Sequence, residues 1–96
     1  MEYQTIIGRK IKSARFSDER KLRDLITENS GKTLASNLTN LKCMEAKGDN
    51  SYYFFKTNII LTAKFSDYQS LQRFTEAVYN NGYIIKGSIL KEKVAA

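Results

Sequence analysis

An internal repeat constrains the fold of this chain more than any other feature. When the sequence is shifted by 49 residues without a gap, 10 of the 47 aligned pairs are identical, against about three expected by chance. The identical positions in the first copy are Tyr3, Ile11, Ala14, Phe16, Ser17, Asp18, Leu22, Leu41, Lys42 and Ala46. Such self-similarity indicates one supersecondary unit used twice. We therefore expect a single domain over residues 1–96, built from repeats 1–47 and 50–96.

The first copy has the pattern of a strand followed by a helix and a second strand. Apolar residues predict a strand over residues 3–16. Ser17 is expected to cap the following helix, and Asp18 to complement the positive end of its dipole. Leu22, Leu25 and Ile26 form the apolar stripe of that helix. A second strand is predicted over residues 34–47.

The second copy repeats this pattern after a turn. Gly48-Asp49-Asn50 is typical of a hairpin between two strands. Residues 51–65 carry the strongest strand signal, and Ser66 is expected to cap the second helix, with Gln69 completing a capping box. The apolar stripe of that helix consists of Leu71, Phe74 and Val78. A last strand is predicted over residues 83–94.

The element order is therefore β-α-β-β-α-β, made from two βαβ units. Right-handed crossovers place the first and third strands side by side in the middle of one sheet, with both helices on the same face. This predicts an α+β fold: a ferredoxin-like sandwich with a four-stranded antiparallel sheet and pseudo-symmetric halves. The other face of the sheet would then be open.

Alternation along the strands predicts which side chains lie on that open face. In the third strand, the set that includes Ile59 and Leu61 is apolar and should face the helices, so the alternate set should face away. The repeat carries this assignment onto the first strand. The candidate binding residues are three rings that could stack on bases, Tyr3, Tyr52 and Phe54, and four cations that could contact phosphates, Arg9, Arg15, Lys56 and Lys64.

The charge of the chain favours an acidic partner. Its formal net charge is +6 and its pI is near 9.5, which favours nucleic acid first and an acidic protein surface second. Flat rings stack on bases at roughly 1–3 kcal/mol each, and cations bind phosphates. The leading hypothesis is a small, basic, non-enzymatic module that binds RNA or single-stranded DNA.

The arrangement resembles the RNA-recognition-motif family in strand order and in the aromatic residues on its central strands. The stretch Lys47–Phe55 is similar in composition to the third-strand motif of that family and differs from it in spacing, and Tyr3–Ile7 departs from the first-strand motif. The resemblance implies an RNA-binding sheet face and assigns no individual residue.

A protein partner is the alternative for the same face. Exposed aromatic residues and isoleucines over several hundred Å² usually mark protein contacts. The chain would then form a homodimer or act as an inhibitor that docks on a host protein. The frequent Lys, Asn, Ile and Tyr and the absence of Pro, Trp and His suggest an AT-rich genome, such as that of a phage or mobile element.

The composition argues against an enzyme. Without histidine the chain has no imidazole acid–base group and no Ser-His-Asp triad, and it has neither a glycine-rich phosphate loop nor a paired-cysteine metal site. We expect no catalytic residue, metal or cofactor. Cys43 is the single cysteine, which suits the cytoplasm. The longest uncharged apolar run, Asn58–Ala63, is far shorter than the roughly 20 residues of a membrane span, so no membrane partner is expected.

Overall fold

A computed structural model describes residues 1–9 and 13–91, and the side chains in these ranges except those of residues 43–47, 53 and 54. The elements are β1 (Glu2–Arg9), α1 (Phe16–Glu28), β2 (Gly31–Lys47), β3 (Asn50–Phe65), α2 (Tyr68–Asn80) and β4 (Tyr83–Lys91). The predicted order of elements is confirmed. The predicted strand residues 10–12 and 92–94 lie outside the described residues. Neither α1 nor α2 is long and apolar enough to cross a membrane.

The four strands form one open antiparallel sheet in the order β2-β3-β1-β4. β1 and β3 lie side by side in the middle, as predicted. The fold is α+β with two helices, and it is compatible with a ferredoxin-like arrangement. The hairpin turn is also confirmed: Lys47 pairs with Asn50, and Gly48 has φ 64°, a left-handed conformation that glycine adopts without steric cost.

The core lies between the two helices and one face of the sheet. The apolar stripes of both helices are buried as predicted, and β3 contributes Ile59, Leu61, Ala63 and Phe65 to the same core. The rings of Phe65 and Phe74 pack with their centroids 5.4 Å apart. Burying a side chain of this size stabilises the fold by roughly 1.5–3 kcal/mol, so these contacts hold the helices to one face.

The predicted face of β1 is wrong. Tyr3 pairs with Ala63 and Ile7 pairs with Ile59, and residues directly opposite each other in an antiparallel pair share a face. Tyr3 and Ile7 are accordingly buried on the helix side, and alternation places Arg9 on that side too. The repeat misleads here because residues 13–15 lie outside any strand, so the alternation of β1 does not apply to the well-aligned stretch that begins at Ser13.

The start of α1 also differs from the prediction. The helix begins at Phe16, and its N-cap is Arg15 rather than Ser17. The Asp18 carboxylate accepts a hydrogen bond of 2.8 Å from the backbone N–H of Arg15. Arg15 is therefore an exposed residue at a helix start and does not lie on the open strand face where it was predicted.

The start of α2 lies three residues further along its copy of the repeat. Its N-cap is Asp67 rather than Ser66. The Asp67 carboxylate accepts a hydrogen bond of 2.8 Å from the backbone N–H of Ser70. Aspartate is among the strongest N-cap residues, so the predicted capping box between Ser66 and Gln69 is replaced by a single aspartate cap.

Candidate nucleic-acid interface

The helices leave the opposite side of the sheet uncovered, and we refer to that side as the open face. Cross-strand pairing and alternation define its residues. They are Lys32, Ala35, Asn37 and Thr39 of β2; Asn58, Ile60, Thr62 and Lys64 of β3; Glu2, Gln4, Ile6 and Gly8 of β1; and Ile84, Lys86, Gly87, Ile89 and Lys91 of β4.

A row of charged side chains crosses one end of the open face. Lys32 pairs with Lys64, Lys64 with Glu2, and Glu2 with Lys91, so the row spans all four strands. All four side chains are exposed, and no salt bridge within the described residues involves any of them. Like charges directly opposite each other destabilise a strand pair, so the pairing of Lys32 with Lys64 favours binding of an additional anion.

An apolar depression lies beside this row. Its volume is about 290 Å³, and its walls include Ile6, Ile60, Ile89 and Gly87. The register of β1 and β4 shifts here: Ile6 pairs with Gly87 and Ile7 with Ile85, which leaves Lys86 as the extra residue of a β-bulge. The position of the depression is therefore set by the bulge and by the missing side chain of Gly87.

A second feature of the open face is a close approach between β1 and β3. Asn58 is fully buried, its amide donates a hydrogen bond of 3.0 Å to the Lys56 carbonyl, and its Oδ1 has no hydrogen-bond partner within the described chain. A Cβ at Gly8 would stand 2.1 Å from that oxygen. Glycine is thus required at residue 8 for the Asn58 amide to fit over β1.

The structure separates the predicted cationic residues. Lys64 is exposed on the open face, as predicted. Lys56 also belongs to that face by alternation, but it is buried, and its ammonium donates to the Arg9 carbonyl. This placement contradicts a phosphate-facing Lys56, because its ammonium is directed to the protein backbone.

The predicted stacking residues are separated as well. Tyr52 is 53 % exposed and lies in a ribbon formed by residues 41–56 of β2 and β3, which projects beyond the segment of β3 that pairs with β1. The side chain of Phe54 lies outside the described residues, and Tyr3 is under the helices. Phe55, predicted to face the helices, is 72 % exposed, because the helix-covered part of β3 begins only near Ile59.

Arg9 belongs to a cluster around the buried carboxylate of Asp18, which the sequence did not indicate, and its own side chain is partly exposed. The carboxylate of Asp18 is 2 % exposed and accepts hydrogen bonds from the guanidinium of Arg9 at 2.7 and 3.1 Å and from the Tyr83 hydroxyl at 2.6 Å. The Arg9 guanidinium also lies 5.8 Å from the centre of the Tyr83 ring. The cluster joins the end of β1, the start of α1 and the start of β4, so its role is structural.

These contacts shift the pKa values of Asp18 and Tyr83. Burial alone would raise the pKa of Asp18, but hydrogen bonds from Tyr83, Arg9 and the Arg15 N–H outweigh it, and the pKa lies below its usual value. Burial and the hydrogen bond to Asp18 raise the pKa of Tyr83 to about 12. Asp18 is therefore held ionised and Tyr83 neutral, as hydrogen-bonded partners in a structural site.

Lys32 and Gly87 could not be predicted from the sequence as residues of the open face, because two register shifts place them there. Counting back from the turn at Gly48 puts Thr33 opposite Lys64, but an irregularity between Thr33 and Ala35 brings Lys32 there instead. The bulge in β4 likewise brings Gly87 opposite Ile6.

In comparisons with known proteins, the chain matches no protein-family model and no curated protein sequence.

Proposed function

We propose that this protein is a small non-enzymatic module that binds RNA or single-stranded DNA through the open face of its sheet. The observation that carries the proposal is the row of Lys32, Lys64 and Lys91 across four strands, with two lysines directly opposite each other. A polyanion would relieve that repulsion and would release counterions from its own phosphates, which favours binding at moderate salt.

The surroundings of the row support a nucleic acid over a small anion. The open face combines the lysines with isoleucines, and Tyr52 adds an exposed ring on the ribbon beyond that face. Single-stranded nucleic acids offer both phosphates and flat apolar bases. Glu2 is the one acidic residue of the row, and its two lysine neighbours offset its charge.

Lys64 and Tyr52 remain candidate contacts, while Tyr3, Arg9, Arg15 and Lys56 are no longer proposed.

We further propose that the fold is ferredoxin-like with two pseudo-symmetric βαβ halves. The strand order β2-β3-β1-β4 and the gapless sequence repeat support this reading. A cytoplasmic location and an origin in a phage or mobile element stay predictions from the composition.

A protein partner is a second candidate, favoured by the apolar part of the open face. Ile89 is 57 % exposed and lies beside Ile6 and Ile60, a grouping that also suits a homodimer or an inhibitor docked on a host protein. In that case the lysines would form the rim of a protein contact.

A salt titration with matched variants tests the proposal. Fluorescence anisotropy of a labelled eight-nucleotide RNA or DNA should show an association constant that falls linearly with salt on logarithmic axes. Lys64→Glu should weaken binding and reduce the slope by at least about 0.7, the value for one phosphate contact on a single strand. Glu2→Gln should strengthen binding, because it removes the one carboxylate of the row.

Arg23→Glu is the matched control, because Arg23 is an exposed cation on α1, on the helix side of the sheet. Arg23→Glu makes the same change in net charge as Lys64→Glu, and it should reduce the affinity for the oligonucleotide less than Lys64→Glu does. Equal losses for the two variants would mean that only net charge matters. If the protein binds no oligonucleotide at about 100 mM salt and light scattering gives the mass of a dimer, the homodimer is the better reading.

A further inference from the structure

We infer that the depression beside Gly87 is a base-binding pocket, in which one nucleobase of a single-stranded nucleic acid contacts the isoleucine walls. This inference rests on the proposed function and assigns it a specific subsite. It is carried by the shape of β4, which brings a residue without a side chain between three isoleucines and next to the lysine row.

Gly87 is the residue that makes room for a base. A Cβ built at this position would have no heavy atom within 4 Å, so the space above the backbone is free. Glycine weakens the interior of a strand and often marks a place where a ligand approaches closely. The depression of about 290 Å³ accommodates a single flat ring system against Ile6, Ile60 and Ile89.

The floor of the pocket is fixed by a hydrogen bond. The hydroxyl of Thr5, which is buried on the helix side, donates to the Gly87 carbonyl at 3.0 Å. This bond ties β1 to β4 at the irregular point of their pairing. A subsite held by backbone pairing and a buried side chain loses little conformational freedom when a ligand binds.

Cations stand on both sides of the pocket along β4. Lys91 lies two residues beyond Ile89 on the same face, a spacing of about 7 Å along a strand. On the other side, Lys86 lies over Gly8, with its Cε 3.1 Å from the place of a Gly8 Cβ. A base in the pocket would therefore have ammonium groups within reach of the phosphates that precede and follow it.

Polar groups at the rim suit the edge of a base. Gln4 is exposed and lines the depression, and its amide can both donate and accept hydrogen bonds. An apolar peptide would also fill the walls, but it would bring no negative charge to Lys86 or to the lysine row, in which three lysines outnumber the one carboxylate of Glu2. Charge complementarity thus selects the nucleotide.

The test compares two oligonucleotides with the same number of phosphates. Binding of an eight-nucleotide thymidine strand is measured against an abasic strand of equal length, by anisotropy at about 100 mM salt. The wild-type protein should prefer the strand with bases by at least about fivefold. Gly87→Val should fill the pocket and remove most of this preference, while the salt slope stays that of the wild type because no charge changes.

Ala35→Val is the control, since Ala35 is an exposed residue of the same face on β2 and lies outside the pocket. It should keep the preference. Ile89→Gln supplies a second variant in case Gly87→Val does not fold, as it makes an exposed wall residue polar, and it should also reduce the preference. A preference unchanged in the folded variants, with oligonucleotide binding intact, would overturn the pocket alone. Absence of binding to both strands would instead overturn the proposed function.

Discussion

The same tripeptide, Phe-Ser-Asp, lies near the start of the helix in both copies and adopts a different structure in each. In the second copy, Phe65 ends β3 and is 1 % exposed in the core. In the first copy, Phe16 is already the first residue of α1 and is 78 % exposed. Identical local sequence thus does not fix where a strand ends, because the register of the neighbouring strands decides which residues the sheet can hold.

The aspartates of the two tripeptides differ in the same way. Asp67 is an exposed N-cap, whereas Asp18 lies in the first turn of α1 and is buried against Arg9 and Tyr83. Both carboxylates accept a backbone N–H three residues away, but from opposite directions: Asp18 from Arg15 and Asp67 from Ser70. A buried carboxylate needs partners for its charge, and only the first copy provides them.

The two phenylalanines should differ most in their contribution to stability. Phe65→Ala should lower the free energy of unfolding by about 4 kcal/mol, because it leaves a cavity against Phe74 in the core. Phe16→Ala should change it by no more than about 0.5 kcal/mol, as expected for a surface position. Urea denaturation followed by circular dichroism measures both, and a large loss for Phe16→Ala would show that its ring is buried in solution.

The sequence predicted the elements well because their signals are local. The hairpin turn needs glycine at positive φ, and the helical stripes of Leu22 and Phe74 recur at helical spacing. Strand order followed from crossover handedness. What could not be predicted is register: the two irregularities near Thr33 and Gly87 depend on how whole strands pair, which no local pattern indicates.

The candidate site was predicted in location and only partly in its residues. An open face with cations was expected, and Lys64 lies there. Tyr3 was misplaced because strand alternation reverses with any one-residue error in register. The row of lysines and the depression at Gly87 both require a bulge to align them, so they become visible only when the strands are paired.

The aspartates give the next largest contrast. Asp18→Ala should lower the free energy of unfolding by about 3 kcal/mol, because the Tyr83 hydroxyl and the Arg15 N–H lose their acceptor in a buried site. Asp67→Ala should cost less, because it removes one exposed cap. The pKa of Asp18 is lowered in the folded protein, so its contribution is present above the ordinary pKa and is lost as the pH falls through the folded value. The difference between the urea midpoints of wild type and Asp18→Ala should therefore shrink as the pH is lowered below the ordinary value of 3.8; a difference that does not change with pH would contradict the ionised cluster.

Tyr83 donates a hydrogen bond to Asp18, whereas the described contacts of Asp67 include no phenol, so the two aspartates also differ at alkaline pH. Tyr83→Phe should lower the free energy of unfolding by about 2 kcal/mol at pH 7, through loss of the hydrogen bond to a carboxylate. The pKa of Tyr83 is raised from 10.0 to about 12 in the folded protein. Its stabilisation is therefore complete below pH 10 and is lost as the pH rises toward 12. Absorbance of the phenolate should show one tyrosine that titrates near 12 in the wild type and is missing in Tyr83→Phe. If Tyr83→Phe still shows a titration step near pH 12, that step does not come from the Tyr83 hydroxyl. The Tyr83 hydroxyl is then not buried against Asp18, and the two aspartates differ less than the structure indicates.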